Sequence, residues 1–493
     1  MRTRGIGSLQ RAARWNDYFS SLHSVSRSEF FYLSMVLVLA LLLRLPPINR
    51  GLGEDELDTV FYVLKTGSIW QIMSSSLSFN NHIGYSLMAY FSQALFGHSE
   101  WAFRLPALLL GLASLYLFWI FSQYLLGPRL AMVGTFIFAF SPAHIIWSIS
   151  GRGYSGLILF TLLSSYFYLR LLHHPTRRDA FFFIVVSVLG IYVHLYSAFV
   201  TIVQTLFLLC LTITQQVGRQ SNQHITGASF RILCVSFIAI VALSLLCYIP
   251  ALRQLFHDIG VRGRSDFNPT FPWTVIEFLS GSEWSPLVVV VFIISVCGLL
   301  SLLRSHPQEV RYLTWLFVGP ILIMWLVRPF DLYPRFFSYC LPYYLVFFVA
   351  GLRTLWDSAA SNYLRLTSYS SRILAVVITA TVLYHWSMNW HNWIADEGYR
   401  DASRAIAMNA PGSATFCAIG GDAEVFQYYF DRQIVVPRSM TEFLELSRTH
   451  PEVRCVYYQA SWESVEHTEI AQFLLKHSSW SRVKKMTLFI YRR

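Results

Sequence analysis

Four carboxylates fall within six residues in Gly53-Glu54-Asp55-Glu56-Leu57-Asp58. Acids this dense complement a helix dipole when they open a helix, and Thr59 onward has helical character. At a membrane surface, one of them also suits the work of a general base, taking the proton from a hydroxyl as it attacks an electrophile. The negative charge that develops on a departing group then needs cations. Ser150-Gly151-Arg152-Gly153-Tyr154 sets a guanidinium between glycines, which favour close approach of a ligand, although an arginine there also serves as a snorkelling helix anchor. Tyr333-Pro334-Arg335-Phe336 puts Arg335 at the start of a predicted helix, where free N–H groups and a fixed cation together receive phosphate. Arg253, His257, Arg262 and Arg264 share a charged loop that either closes over the same anion or is simply solvated. His82 follows Asn80 and Asn81, and His194 sits in Tyr192-Val193-His194-Leu195-Tyr196. With Tyr154 they are candidate substrate-binding residues, and a histidine such as His194 also reads as a satisfied packing residue.

The elements that position these residues are apolar. Of 493 residues, 55% are hydrophobic and 13% charged, against roughly 25% charged in soluble domains. That excludes an ordinary cytosolic enzyme, a coiled coil and a disordered chain. The formal charge of +11 is scattered between apolar runs, which fits topology-setting charge around a bilayer and not nucleic-acid binding. Apolar runs at 30–45, 104–125, 130–148, 155–172, 180–196, 197–216, 231–249, 286–303, 312–328, 336–354 and 372–389 predict about eleven spans of the ~20 residues a crossing needs. His82 to Gly97 is apolar but short. Counting it as lying on the membrane leaves Arg129, Arg170, Arg177, Arg178, Arg219, Arg231, Arg304, Arg311, Arg353, Arg365 and Arg372 on the N-terminal side. With Arg2, Arg4, Arg11, Arg14 and Arg27 ahead of the first span, that side is cytoplasmic. The arginines left outside invite another task, such as holding an anion.

The expected organisation is mostly α, with a cytoplasmic segment at 1–29 and a membrane helical bundle at 30–390 whose first outer loop, 47–103, carries interfacial helices. A small extracytoplasmic α/β domain follows at 391–493, where short apolar strands alternate with helix-like stretches. Cys210, Cys234, Cys247, Cys297 and Cys340 sit in apolar runs as small hydrophobes. Cys417 and Cys455 lie in the polar tail and pair if it faces an oxidising compartment, but buried free thiols are the preferred reading. No CxxC or HExxH pattern occurs, and no metal or other cofactor is expected. Asp55, Glu56 and Asp58 are nonetheless hard oxygen ligands of the type a divalent ion takes.

These residues, in their order, resemble the GT-C superfamily of integral-membrane glycosyltransferases, especially bacterial relatives of the protein O-mannosyltransferase and lipid A aminoarabinose transferase families. The likeness rests on Leu43-Arg44-Leu45, Asp55-Glu56, Asn81-His82 leading into Ile83-Gly84-Tyr85-Ser86-Leu87, and Phe96-Gly97-His98-Ser99-Glu100-Trp101-Ala102-Phe103-Arg104-Leu105-Pro106. Ser141-Pro142 through Arg152-Gly153-Tyr154, Tyr192-Val193-His194, and Pro334-Arg335-Phe336 to Leu341-Pro342 complete it, over about the first 350 residues. Many relatives carry His-Pro-Pro-Leu where this chain has His82-Ile83-Gly84-Tyr85. The resemblance implies a polyprenyl-phosphate sugar donor, a glycan, lipid or protein acceptor, and transfer outside the cytoplasmic membrane. It also implies Asp55 as base with Glu56 beside it, and Arg152, Arg335, Arg262 and Arg264 on the lipid phosphate. The rival reading is a polytopic transporter, or a glycan-lipid flippase or polymerase, without this Asp-based chemistry. A transporter places its ionisable groups near the bilayer midplane and often repeats its halves. No repeat is evident.

Overall fold

The computed structural model describes residues 26–65, 67–76, 80–217, 225–261, 266–327, 332–358, 365–390, 394, 396–420, 423–430, 432–458 and 465–492. Among them, eight helices are long and apolar enough to cross a membrane. They begin with Arg27–Ile48, Glu100–Leu126 and Tyr154–His173 and end with Pro334–Asp357. The bent pair Pro128–Phe140 and Pro142–Ser148 makes a ninth if taken as one span. The two other expected crossings are helical: Arg177–Val193 is shorter, at 17 residues, and Arg365–Met388 has 24. The Ile83–Phe96 helix, at 14 residues, is too short to span ~30 Å of hydrocarbon, as its sequence suggested. Helix surfaces left outside the bundle are apolar: Ile238 is 70% exposed, and Val235 and Leu246 are exposed beside it. Apolar surface of that extent belongs in lipid, not in water.

The chain divides into two units. One comprises the membrane helices, from Met1–Ile48, Met73–Gly97 and Ala102–Trp393. It holds a 62° bend between Pro128–Phe140 and Pro142–Ser148. Pro142 has no N–H and opens the second half, while Ser141 is extended at φ −61°, ψ 127°; a break here frees the last carbonyls of the first half. Arg44, fully buried, collects one of them, donating to Ala139 O at 3.0 Å and also to His144 Nδ1 at 2.7 Å. The imidazole then donates from Nε2 to Ser114 Oγ at 2.9 Å, and Ser114 donates to Gly111 O at 2.7 Å. A buried guanidinium is tolerated because most of its protons and the freed carbonyl satisfy each other. Deeper in the bundle, Ser165 Oγ meets the hydroxyls of Tyr312 and Tyr343 at 2.8 and 2.9 Å. Gln204 donates to the same Tyr312 hydroxyl at 3.0 Å. Interhelical polar contacts of this sort hold helices that gain no hydrophobic drive from lipid.

The second unit takes Asn49–Ile72, His98–Trp101 and Ile394–Arg493. Among the described residues its strands are β1 Thr415–Gly420, β2 Ile434–Val435, β3 Glu452–Tyr458, β4 Ser479–Val483 and β5 Met486–Arg492. They form one sheet in the order β2-β1-β3-β5-β4. β1 is parallel to β2 and β3, while β5 is antiparallel to β3 and β4. The helices Tyr399–Ala407, Met440–Thr449 and Val465–His477 correspond to those expected from the tail's alternating pattern. β4, with no buried residue, went unread because a polar edge strand has no hydrophobic period to reveal it. Cys417 and Cys455 form a disulfide, which corrects the free-thiol expectation. They are direct partners in the β1–β3 register with Cα atoms 4.4 Å apart, a separation that side chains on one sheet face can bridge.

Candidate functional site

Three segments of the membrane unit meet at glycines. A Cβ on Gly153 would lie 2.3 Å from the Val193 carbonyl oxygen and 3.3 Å from His82 Cβ. One on Gly84 would lie 2.9 Å from the Tyr192 carbonyl. These positions therefore admit other stretches of chain, whereas the sequence had suggested that the glycines beside Arg152 make room for a ligand. Gly153→Ala is expected to destabilise the unit by about 1–3 kcal/mol, because the methyl meets backbone that cannot step aside. Thermal unfolding in detergent checks this; an unchanged midpoint would contradict the close approach.

The contact gathers the candidate side chains. His82 caps the start of Ile83–Phe96, Arg152 lies in the turn before Tyr154–His173, and His194 ends Arg177–Val193. The two imidazoles stack with centroids 4.3 Å apart and planes at 28°. Tyr154 sets its ring against both, at 5.5 Å from His82 and 4.7 Å from His194. Trp147 covers Tyr154 from 4.1 Å. His194 Nδ1 accepts the Tyr196 N–H at 3.3 Å, so the neutral ring carries its proton on Nε2. His82 Nε2, His194 Nε2 and Trp147 Nε1 are all buried with no hydrogen-bond partner among the described residues. Buried polar atoms without partners are uncommon and ask for a role.

Arg152 is buried, its N–H bonded to Ser150 O at 2.7 Å. Arg335 belongs to the Pro334–Cys340 segment, with its guanidinium 4.6 Å over the Tyr333 ring. The next residue, Phe336, stacks on Tyr196 at 4.5 Å. That tie brings the Arg335 segment beside the His194 turn. Burial, and after it the Arg152 charge, the neighbouring His194 imidazole and the Arg335 charge, hold the His82 imidazole well below its ordinary value. His82 is thus neutral near pH 7. Two guanidiniums and neutral ring nitrogens are groups whose chemistry suits an anion, since full positive charge comes with hydrogen-bonding groups that cost no extra ionisation.

In the second unit, Glu54–Asp58 is a single helical turn followed by the π-helical Thr59–Leu64, an uncommon geometry that recurs at functional sites. Asp55 is half-buried. Glu56 is buried and accepts the Gly53 N–H at 2.9 Å, folding its carboxylate back onto its own turn. Arg253 and His257 are exposed on Leu252–Val261. Arg262 and Arg264 lie outside the described residues. Among the described residues, no three His, Cys, Asp or Glu side chains are grouped as metal ligands. Trp147 escaped the sequence reading, and Tyr196 and Phe336 stood in its motifs without a role of their own. They are aromatic residues among many in apolar runs, and no local signal separates them from core.

Residues 82–248, which hold His82, Arg152, Tyr154 and His194, match the family model described as dolichyl-phosphate-mannose-protein mannosyltransferase. Over these residues the chain is similar to that family, and its fold is shared with solved membrane structures. ArnT from Cupriavidus metallidurans in the apo state superposes with a TM-score of 0.62 at 12% identity, covering 94% of this chain and 98% of that one. The same enzyme bound to undecaprenyl phosphate gives 0.56 at 12% identity, covering 93% and 98%. The archaeal oligosaccharyltransferase AglB from Archaeoglobus fulgidus, in complex with an inhibitory peptide and a dolichol-phosphate, gives 0.54 at 11% identity, covering 87% and 70%. No curated protein sequence matches the chain.

Proposed function

We propose that the protein moves a sugar from a polyprenyl-phosphate donor to a hydroxyl of a glycan, lipid or protein acceptor, on the outer face of the cytoplasmic membrane and with inversion. The observation that carries this reading is the gathering of Arg152, Arg335, His82 and His194 at one place in the membrane unit. Proteins of similar fold hold undecaprenyl phosphate or dolichol-phosphate, and the lipid phosphate is the anion this set suits. In the reaction the acceptor oxygen attacks the anomeric carbon while its proton passes to the Asp55 carboxylate. The bond from that carbon to the phosphate oxygen breaks, and polyprenyl phosphate leaves with the electron pair. Arg152 and Arg335 stabilise the charge that grows on it, with Arg262 or Arg264 closing over the same group. Phosphate leaves without a protonating acid, so one carboxylate suffices. A single displacement inverts the sugar, unlike the two-carboxylate scheme of retaining hydrolases.

Tyr154, His82 and His194 bind substrate in this scheme, and Glu56 orients the Asp55 turn. An outer position for the second unit agrees with its disulfide, which persists in oxidising compartments. It also agrees with the arginine bias toward the N-terminal side. Counting Arg177–Val193 and Arg365–Met388 as crossings gives about eleven spans. The test is a panel of labelled lipid-linked sugars offered to the purified protein, scored for acceptor-dependent release of polyprenyl phosphate. Release with at least one donor is expected. Transbilayer movement of an intact donor without release would favour the flippase reading instead.

A further inference from the structure

The segment carrying Asp55 lies between the first membrane helices in sequence, yet it folds as part of the unit built on Ile394–Arg493. The connection is made through backbone groups. Asp396 Oδ2 accepts the Gly51 N–H at 3.0 Å, the Tyr429 hydroxyl accepts the Leu52 N–H at 2.8 Å, and Glu397 Oε2 accepts the Glu54 N–H at 2.8 Å. Arg400 donates to Asn49 O at 2.9 Å and to Glu100 at 3.0 Å. These partners all lie between Asp396 and Tyr429, far from the loop in sequence. A loop with no strand or long helix of its own must find partners for its N–H and C=O groups elsewhere, and here the tail domain supplies them one after another. Glu397 stands where a helix cap would stand. Gly53, the N-cap, has no side chain to offer, and the first helical N–H is taken by a carboxylate from the other end of the chain.

We infer that the tail domain is the platform that holds the acidic turn in one conformation, with Asp396, Glu397, Arg400 and Tyr429 as positioning residues for Asp55. The platform is itself braced. Lys484 pairs with Asp396 at 3.0 Å and with Asp401, while Asp396 Oδ1 accepts the Gly398 N–H at 2.8 Å. Burial acts to raise the Asp396 carboxyl, but Lys484 and the N–H groups of Gly398 and Gly51 outweigh it and hold the group below its usual range. Asp396 is therefore a full carboxylate where it meets the loop. The Tyr458 hydroxyl reaches Glu54 Oε2 at 3.4 Å, adding a contact from β3, the strand that carries Cys455. Ordering an otherwise irregular loop reduces the conformations among which a base is wrongly placed. The consequence for turnover rests on the proposed role of Asp55; the consequence for loop order does not.

The experiment is hydrogen–deuterium exchange on the full-length protein in nanodiscs, together with transfer kinetics and donor binding. In Tyr429→Phe/Glu397→Ala, exchange across residues 49–58 is expected to quicken by about ten-fold or more, the scale of losing one or two such bonds. Peptides of the membrane helices should be unchanged. Transfer should fall by roughly ten-fold with donor affinity intact, the split expected of a misplaced base and not of a lost binding site. Tyr429→Phe alone removes a single oxygen and gives a milder change in the same direction if the double variant is poorly folded. Unchanged exchange at 49–58 in folded variants, or quickening spread over the whole chain, overturns the platform. Asp55→Asn serves as the control. It should leave exchange unaltered, and if it still turns over while the platform variants exchange fast, the base assignment fails and the platform stands.

Discussion

Asp55→Asn is expected to abolish sugar transfer while leaving donor binding intact. The amide keeps the size and shape of the carboxylate, but it has no lone pair basic enough to take the acceptor proton in the transition state. General-base catalysis contributes roughly 10²–10⁴-fold, so residual turnover should fall to or below the limit of a radiolabel assay. Binding of the polyprenyl-phosphate sugar, followed by intrinsic fluorescence or by thermal stabilisation, should match the wild type. Retained turnover would remove Asp55 from the mechanism. Glu56→Gln should behave differently. The Glu56 carboxylate accepts the Gly53 N–H, and a glutamine oxygen still accepts that bond, so a partial loss is expected where Asp55→Asn shows a complete one.

Arg335→Ala is the second large effect, and it should appear in donor binding. A charge-assisted bond from guanidinium to phosphate contributes about 1.5–3 kcal/mol, or roughly 10–100-fold in affinity. Arg335→Lys should recover only part of it, because an ammonium keeps the charge but loses the planar fork. Titration with polyprenyl phosphate lacking the sugar separates the two ends of the donor. The loss should persist with the bare lipid phosphate, and unchanged affinity there would discard Arg335 as a phosphate ligand. Raising the salt concentration should weaken wild-type binding little, since Arg152 is buried beside it and buried charges are poorly screened.

Much of this was legible in the residues alone. The membrane class follows from composition, since a chain with so few charges cannot cover its own surface in water. The acidic turn announces itself by density. Arg152, Arg335, His82 and His194 each stand out as polar residues at the ends of apolar runs, where a residue that only packs would be apolar. The tail's α/β character shows in its alternating short segments, and only the polar edge strand β4 escaped. One expected crossing, Arg177–Val193, proved to be a helix of 17 residues. Hydropathy runs overstate helix length wherever the apolar stretch continues past the last helical turn, as Arg177–Val193 does into His194-Leu195-Tyr196.

What the sequence by itself determined was therefore local: which stretches prefer lipid, where the chain turns, and which side chains are capable of proton transfer or anion binding. The tertiary structure alone decided the partnerships. It stacked His82 on His194 through the close approach at Gly84 and Gly153, brought Trp147 and Phe336 to that site, and joined Cys417 to Cys455 through strand register. It also seated the Asp55 turn on Asp396, Glu397 and Tyr429, residues near the far end of the chain. The physical reason is the difference in range. Hydropathy and helix propensity act over a few residues and leave a periodic trace, whereas a hydrogen bond between residues hundreds of positions apart leaves none until the chain is packed.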